Sequence, residues 1–75
     1  MKRRIYIFQQ EFGIDGNYFV GRIERENDNL YVVIYKYDYH LSNVPLKEML
    51  YTGENTDEGY ISAMDDIISE ILDNQ

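Results

Sequence analysis

Apolar and polar residues follow a strand-like pattern in the first half of the chain and a helical one near its C-terminus. Asp15-Gly16 and Asn27-Asp28-Asn29 are turn sequences, because Gly, Asn and Asp tolerate a positive φ. The stretches around these turns are rich in Ile, Val, Tyr and Phe and predict three strands, at residues 3–10, 17–25 and 30–39. The pattern therefore predicts a three-stranded antiparallel meander.

A long amphipathic helix is predicted from Thr56 onward. Either Asn55 or Thr56 is its expected N-cap, and Asp57 and Glu58 suit the positive end of the helix dipole. Apolar residues recur at spacings of three and four and so form one stripe: Tyr60, Ile61, Met64, Ile67, Ile68, Ile71 and Leu72.

Residues 44–52 allow two interpretations. Ser42-Asn43 followed by Pro45 and ended by Gly53 predicts a short helix with a cap, a first-turn proline and a C-terminal glycine. A fourth strand at residues 49–52 is the alternative. The main prediction is an α+β fold of order β-β-β-α-α. It is a three-stranded antiparallel β-meander, then a short helix, then a longer C-terminal amphipathic helix packed on one sheet face. Residues 1–75 form one small domain.

Two-residue turns in both hairpins would give the sheet two apolar faces. The face expected to receive the long helix carries Phe8, Phe12, Phe19, Ile23, Leu30, Val32 and Ile34. The other face, left to the short helix, carries Ile5, Ile7, Tyr18, Val20, Tyr31, Val33, Tyr35 and Tyr37. Exposed apolar faces rich in Tyr are typical of interfaces, so Tyr31, Tyr35 and Tyr37 are candidate partner anchors or a homodimer seam. The alternative is a half-exposed strand in which Tyr is the natural amphipathic residue.

Charge is distributed unevenly along the chain. The formal net charge is -7, yet residues 1–47 hold all seven bases and six acids, and residues 48–75 hold eight acids and no base. The long helix therefore lacks cross-turn ion pairs with bases of its own. Its candidate partner-binding residues are Asp65, Asp66, Glu70 and Asp73. They form either an anionic docking surface or a solvated face that keeps the protein soluble.

These features favour a non-enzymatic acidic module for protein-protein interaction. Rows of carboxylates reproduce part of the charge pattern of nucleic-acid phosphates, so the expected partner is a nucleic-acid-handling protein with a basic surface. Small, acidic, Cys-free single domains of this kind resemble the inhibitors of host defence nucleases that phages and mobile elements encode. The resemblance implies a nucleic-acid mimic that acts as an inhibitor, and it is carried by composition and size.

Two alternative functions follow from other residues. Arg3, Arg4, Arg22, Arg25 and Lys36 lie among aromatic residues, a combination with which sheets stack on single-stranded nucleic acid, although the negative net charge opposes such binding. The second half of residues 54–65 resembles the EF-hand calcium loop, with suitable residues at its sixth, eighth, ninth and twelfth places: Gly59, Ile61, Ser62 and Asp65. The first, third and fifth places depart from that motif, with Glu54, Thr56 and Glu58. The resemblance implies a degenerate calcium site.

The sequence disfavours several other classes of protein. The absence of Cys excludes disulfides, thiolate zinc sites and Cys nucleophiles, and it favours a cytoplasmic location. The single His, His40, stands without a serine-elbow motif, and the chain has no phosphate-binding glycine loop. The apolar run 5–8 is too short for a signal peptide or a membrane span. We expect no enzymatic activity, no cofactor and no bound metal.

Overall fold

A computed structural model describes residues 4–37 and 45–74, which form a four-stranded antiparallel sheet with one helix packed against it. The strands are β1 (Ile5–Ile14), β2 (Asn17–Glu26), β3 (Asn29–Lys36) and β4 (Lys47–Tyr51), and they lie side by side in chain order. The helix α1 (Asp57–Asp73) follows. The predicted α+β class, the meander and the C-terminal helix are confirmed.

Both predicted hairpin turns are present. Ile14 pairs with Asn17, and Asp15 and Gly16 between them have φ angles of 51° and 81°. Glu26 pairs with Asn29, and Asn27 has a φ of 56°. Only Gly, Asn and Asp adopt this left-handed conformation at low cost, which is why these residues place the turns and thereby set the strand register.

The predicted short helix within residues 44–52 is wrong, because residues 47–51 form strand β4. Val32 of β3 pairs with Met49, so β4 lies close to the alternative that the sequence left open. A run of five residues is too short to favour a helix strongly, whereas pairing with β3 satisfies backbone groups that would otherwise lie at a sheet edge. The proposed cap at Ser42 and Asn43 lies outside the described residues, as do Tyr39 and His40.

The core lies between α1 and one face of the sheet, as predicted. Its buried residues are Phe19, Ile23, Val32 and Ile34 from the strands and Tyr60, Met64, Ile67 and Ile68 from the helix. Gly21 at the centre of β2 makes the close approach of α1 feasible. A Cβ at Gly21 would lie 2.6 Å from Sδ of Met64, so any larger residue there would displace the Met64 side chain.

The face of the sheet that points away from α1, called here the open face, differs from the prediction. The pairing of β1 with β2 shifts between Tyr6 and Phe8, so Ile7 is an extra residue in a β-bulge. As a result Tyr6, opposite Glu24, lies on the open face, whereas Ile7 lines a pocket with Tyr60 on the helix side. The prediction that Ile5 and Ile7 belong to the open face is therefore wrong. A bulge reverses the side-chain alternation of every residue before it.

Within the part of the chain that the structure describes, no helix has both the length and the apolar character required to span a lipid bilayer.

Candidate functional site

The ends of α1 determine how its charges are presented. Thr56 is the N-cap, and its Oγ1 accepts a hydrogen bond of 3.1 Å from the backbone N–H of Gly59. At the other end the side-chain amide of Asn74 donates to the carbonyl oxygen of Glu70, and the last turn contains no basic residue. The negative end of the helix dipole therefore has no cation of its own helix beside it.

The four predicted acids are all exposed on α1; we call Asp65, Asp66, Glu70 and Asp73 the acidic face. Asp66, Glu70 and Asp73 stand four and three residues apart, so they share one ridge of the helix. Asp65 lies about 100° away around the helix axis. The structure thus brings three of the four acids together and sets Asp65 on the flank.

Among residues 4–37 and 45–74, one cation contacts this surface. Nζ of Lys47 in β4 lies 2.6 Å from Oε1 of Glu70, and both side chains are partly exposed. Ion pairs of this kind contribute about 0–1 kcal/mol. Among the described residues, Asp65, Asp66 and Asp73 have no ion-pair partner, so the acidic face keeps most of its charge.

The predicted tyrosines lie elsewhere. Tyr31 and Tyr35 alternate along β3 with the core residues, which places them on the open face, across the sheet from α1. Tyr37 directly follows β3, and its backbone N–H donates to the carbonyl oxygen of Tyr18. Tyr37 is 49% exposed, whereas Tyr31 and Tyr35 are half-buried. The seven predicted partner-binding residues therefore form two surfaces on opposite sides of the sheet.

Two arginines are held by the open face. Arg4 forms ion pairs with Glu24, Glu26 and Glu48, and its guanidinium lies 4.2 Å from the centre of the Tyr31 ring. Nε of Arg22 donates to Oε1 of Gln9 at 2.8 Å. The Arg22 guanidinium also lies over two tyrosine rings, those of Tyr6 and Tyr35. These cations are committed to partners within the chain.

The hydroxyl of Tyr35 completes this arrangement. It donates a hydrogen bond of 2.8 Å to Oε2 of Glu24, a residue that is only 8% exposed. Burial, followed by this hydrogen bond, raises the pKa of Tyr35 above its usual value. The open face therefore carries a network of Arg, Glu and Tyr side chains, and Tyr6, Tyr18 and Leu50 are more than half exposed on it.

The sequence did not reveal a groove of about 420 Å³ between β4 and α1. Val32, Met49, Ala63 and Ile67 provide apolar lining, and the carboxylate-bearing residue Asp66 lies among the lining residues. Met49 stands opposite the core residue Val32 and is nevertheless 45% exposed, so α1 leaves this part of the sheet uncovered. The alternative fourth strand was the signal that could have identified Met49.

The resemblance of residues 54–65 to a calcium loop is not matched by their conformation. The helix begins at Asp57, so positions four to twelve of the resemblance are helical rather than looped. The carbonyl oxygen of Glu54 accepts a hydrogen bond from the Tyr51 hydroxyl. Within the described ranges no group of three His, Asp or Glu side chains is arranged to hold a metal ion.

Comparisons with known proteins found no matching family model, no matching curated protein and no matching solved structure.

Proposed function

We propose that this chain is a non-enzymatic binding module whose acidic face docks on a basic surface of a protein partner. The observation that carries the proposal is the separation of charges within the molecule. The open face engages Arg4 and Arg22 in contacts with Glu, Gln and Tyr. Asp65, Asp66 and Asp73 are left without ion-pair partners among the described residues.

The chemistry of the acidic face suggests what such a partner does. A protein surface that binds phosphates presents Lys and Arg, which also attract carboxylates. An acidic module on that surface would compete with nucleic acid and act as an inhibitor. The three unpaired carboxylates would chiefly accelerate association and select the partner, because exposed charges contribute more to encounter rate and specificity than to affinity.

The same geometry gives less support to direct binding of nucleic acid. Arg4 and Arg22 are two of the five basic residues of that alternative, and both are engaged by neighbouring side chains. Three glutamates, Glu24, Glu26 and Glu48, surround Arg4, so the described residues around it carry more acids than bases. A homodimer through Tyr31, Tyr35 and Tyr37 remains a prediction, checked by measuring the mass of the chain in solution as a function of concentration.

Two variants with equal net charge test the proposal. The face variant carries Asp65→Asn, Asp66→Asn and Asp73→Asn. The control variant carries Glu11→Gln, Asp15→Asn and Asp28→Asn, which neutralise three acids that are also exposed but lie on the sheet and its turns. Asn suits the left-handed position of Asp15, so the hairpin should be preserved.

The experiment is affinity capture from the source cells with the wild type and both variants. We expect a basic protein that the wild type and control variant retain and the face variant loses. We also expect its binding to nucleic acid to weaken when the wild-type chain is added. Equal capture by the face variant would contradict the proposal.

A further inference from the structure

We propose that the partner contributes an extended segment that adds to the sheet beside β4 and places an apolar side chain in the groove between β4 and α1. This inference rests on the proposed function, since it names the structure that the partner presents. Strand addition of this type uses backbone hydrogen bonds for affinity and pockets for alternate side chains for specificity.

The position of β4 makes the addition feasible. It is the last strand of the sheet, and among the described residues it pairs with β3 alone. Each face of β4 carries an exposed apolar side chain at adjacent positions. Met49 on the helix side is 45% exposed, and Leu50 on the open face is 55% exposed. An edge strand with exposed apolar side chains is a favoured site for pairing with another chain.

The groove has limits at both ends of β4. At one end Lys47 bonds to Glu70 of α1 and so bridges the strand and the helix. At the other end the Tyr51 ring packs edge-on against Tyr60, with ring centres 5.3 Å apart. The groove between these two contacts is lined by apolar residues and suits one aliphatic side chain. The lining residues are Val32, Met49, Ala63 and Ile67.

The acidic residues that line the groove favour a partner segment with a positive charge. Asp66 and Glu54 are among the residues that line the groove, and the Lys47 ammonium is paired with Glu70. A segment carrying an aliphatic residue and, two positions along, a Lys or Arg would place both side chains on the groove side. A second copy of this chain would offer Lys47 and Met49 at the same spacing, but its Lys47 is already paired with Glu70. Its β4 would also bring Glu48 and its own acidic helix against the same acids, so it fits less well.

The probe is the capped peptide Thr-Val-Thr-Lys-Thr, in which Val and Lys share one face of a strand. We expect amide shifts in the wild-type chain at residues 47–51 and 59–67, and binding at least tenfold weaker when Glu replaces Lys in the peptide. Shifts centred on the open face, equal binding of the Glu peptide, or no binding would overturn the inference.

A matched pair of variants tests the groove itself. Ala63→Phe fills the groove, whereas Ser69→Phe adds the same ring at an exposed position of α1 outside it. With both variants folded, as judged by their amide spectra, we expect Ala63→Phe to weaken peptide binding at least tenfold and Ser69→Phe to change it less than twofold. Equal effects of the two variants would contradict a groove-bound side chain.

The captured partner separates the two proposals. If the face variant loses the partner while Ala63→Phe keeps it, the groove inference fails and the proposed function stands. If both variants keep it, both proposals fail. If Ala63→Phe converts a dimer of this chain into a monomer, the groove is a self-interface and the inference is overturned.

Discussion

At the scale of single residues, the pair formed by Tyr35 and Glu24 shows how the sheet keeps a charge near its interior. Glu24 is 8% exposed. Its carboxylate accepts a hydrogen bond from the Tyr35 hydroxyl and forms an ion pair with the Arg4 guanidinium. A nearly buried carboxylate without such partners would be costly, since its desolvation would not be offset. The pair therefore stabilises the open face.

Tyr35→Phe should lower the free energy of unfolding by about 1–2 kcal/mol, because Glu24 loses its neutral donor. The pKa of Tyr35 is raised by burial and by Glu24, so the contribution of this group is complete below pH 10 and is lost as the pH rises through the raised folded-state pKa. Urea unfolding measured from neutral pH to above pH 10 checks both effects. The variant should lose less stability on alkalinisation than the wild type, and identical alkaline slopes would contradict this. Tyr18→Phe, at a residue 60% exposed, is the control and should be nearly neutral.

At the scale of elements, the beginning of α1 depends on one side chain. Thr56→Ala should lower the free energy of unfolding by about 1 kcal/mol, since the Gly59 N–H loses its acceptor. Asn55→Ala is the matched control and should have a smaller effect. Thermal unfolding of both variants checks the assignment, and a larger loss for Asn55→Ala would show that the cap lies one residue earlier.

The packing of α1 on β2 depends on Gly21. Gly21→Ala should destabilise the fold by about 1–3 kcal/mol, because the new methyl group would overlap the Met64 side chain in a buried layer. Gly13→Ala, on the outer strand β1, meets only the ring of the exposed Tyr18 and should be close to neutral. Denaturant unfolding of the two variants provides the comparison. Equal stability losses would show that helix and sheet do not approach as closely as described.

The elements that the sequence predicted correctly have strong local causes. Asp15, Gly16 and Asn27 adopt left-handed conformations that Gly, Asp and Asn tolerate, and the apolar stripe of α1 is long enough to identify a helix. The bulge at Ile7 has no such cause, because Ile5, Tyr6 and Phe8 around it are all good strand formers. Strand β4 was ambiguous for a related reason, since five residues do not distinguish a period of two from a period of 3.6.

The candidate functional residues also divide into those that a local pattern predicts and those that it does not. The acidic face was predictable because an amphipathic helix fixes which residues point outward. The sequence also predicted that Tyr31, Tyr35 and Tyr37 are separated from those acids. The predicted strand register placed them on the sheet face that does not receive the long helix. The engagement of Arg4 with Glu48 and the groove at Met49 depend on where β4 lies, a tertiary feature that no local pattern specifies.

At the scale of the whole molecule, the acidic face is expected to reduce stability. Like charges three and four residues apart on a helix repel each other, and acids near a helix C-terminus oppose the dipole. The face variant should therefore be more stable than the wild type by about 1 kcal/mol at low salt, with at most half that gain in the control variant. The gain should shrink at about 0.5 M salt, because screening removes the repulsion. Urea unfolding at the two salt concentrations checks this, and a destabilised face variant would show that the acids have stabilising partners.

The most direct test of the central claim is an amide chemical-shift titration of the intact chain with pentalysine, a small probe of accessible negative charge. We predict that the largest shifts fall within residues 62–73, that they persist in the control variant and that the face variant loses them. Largest shifts around Glu24 and Glu26 on the open face, or shifts in α1 that survive in the face variant, would contradict the claim that this molecule presents most of its unpaired negative charge through the helix.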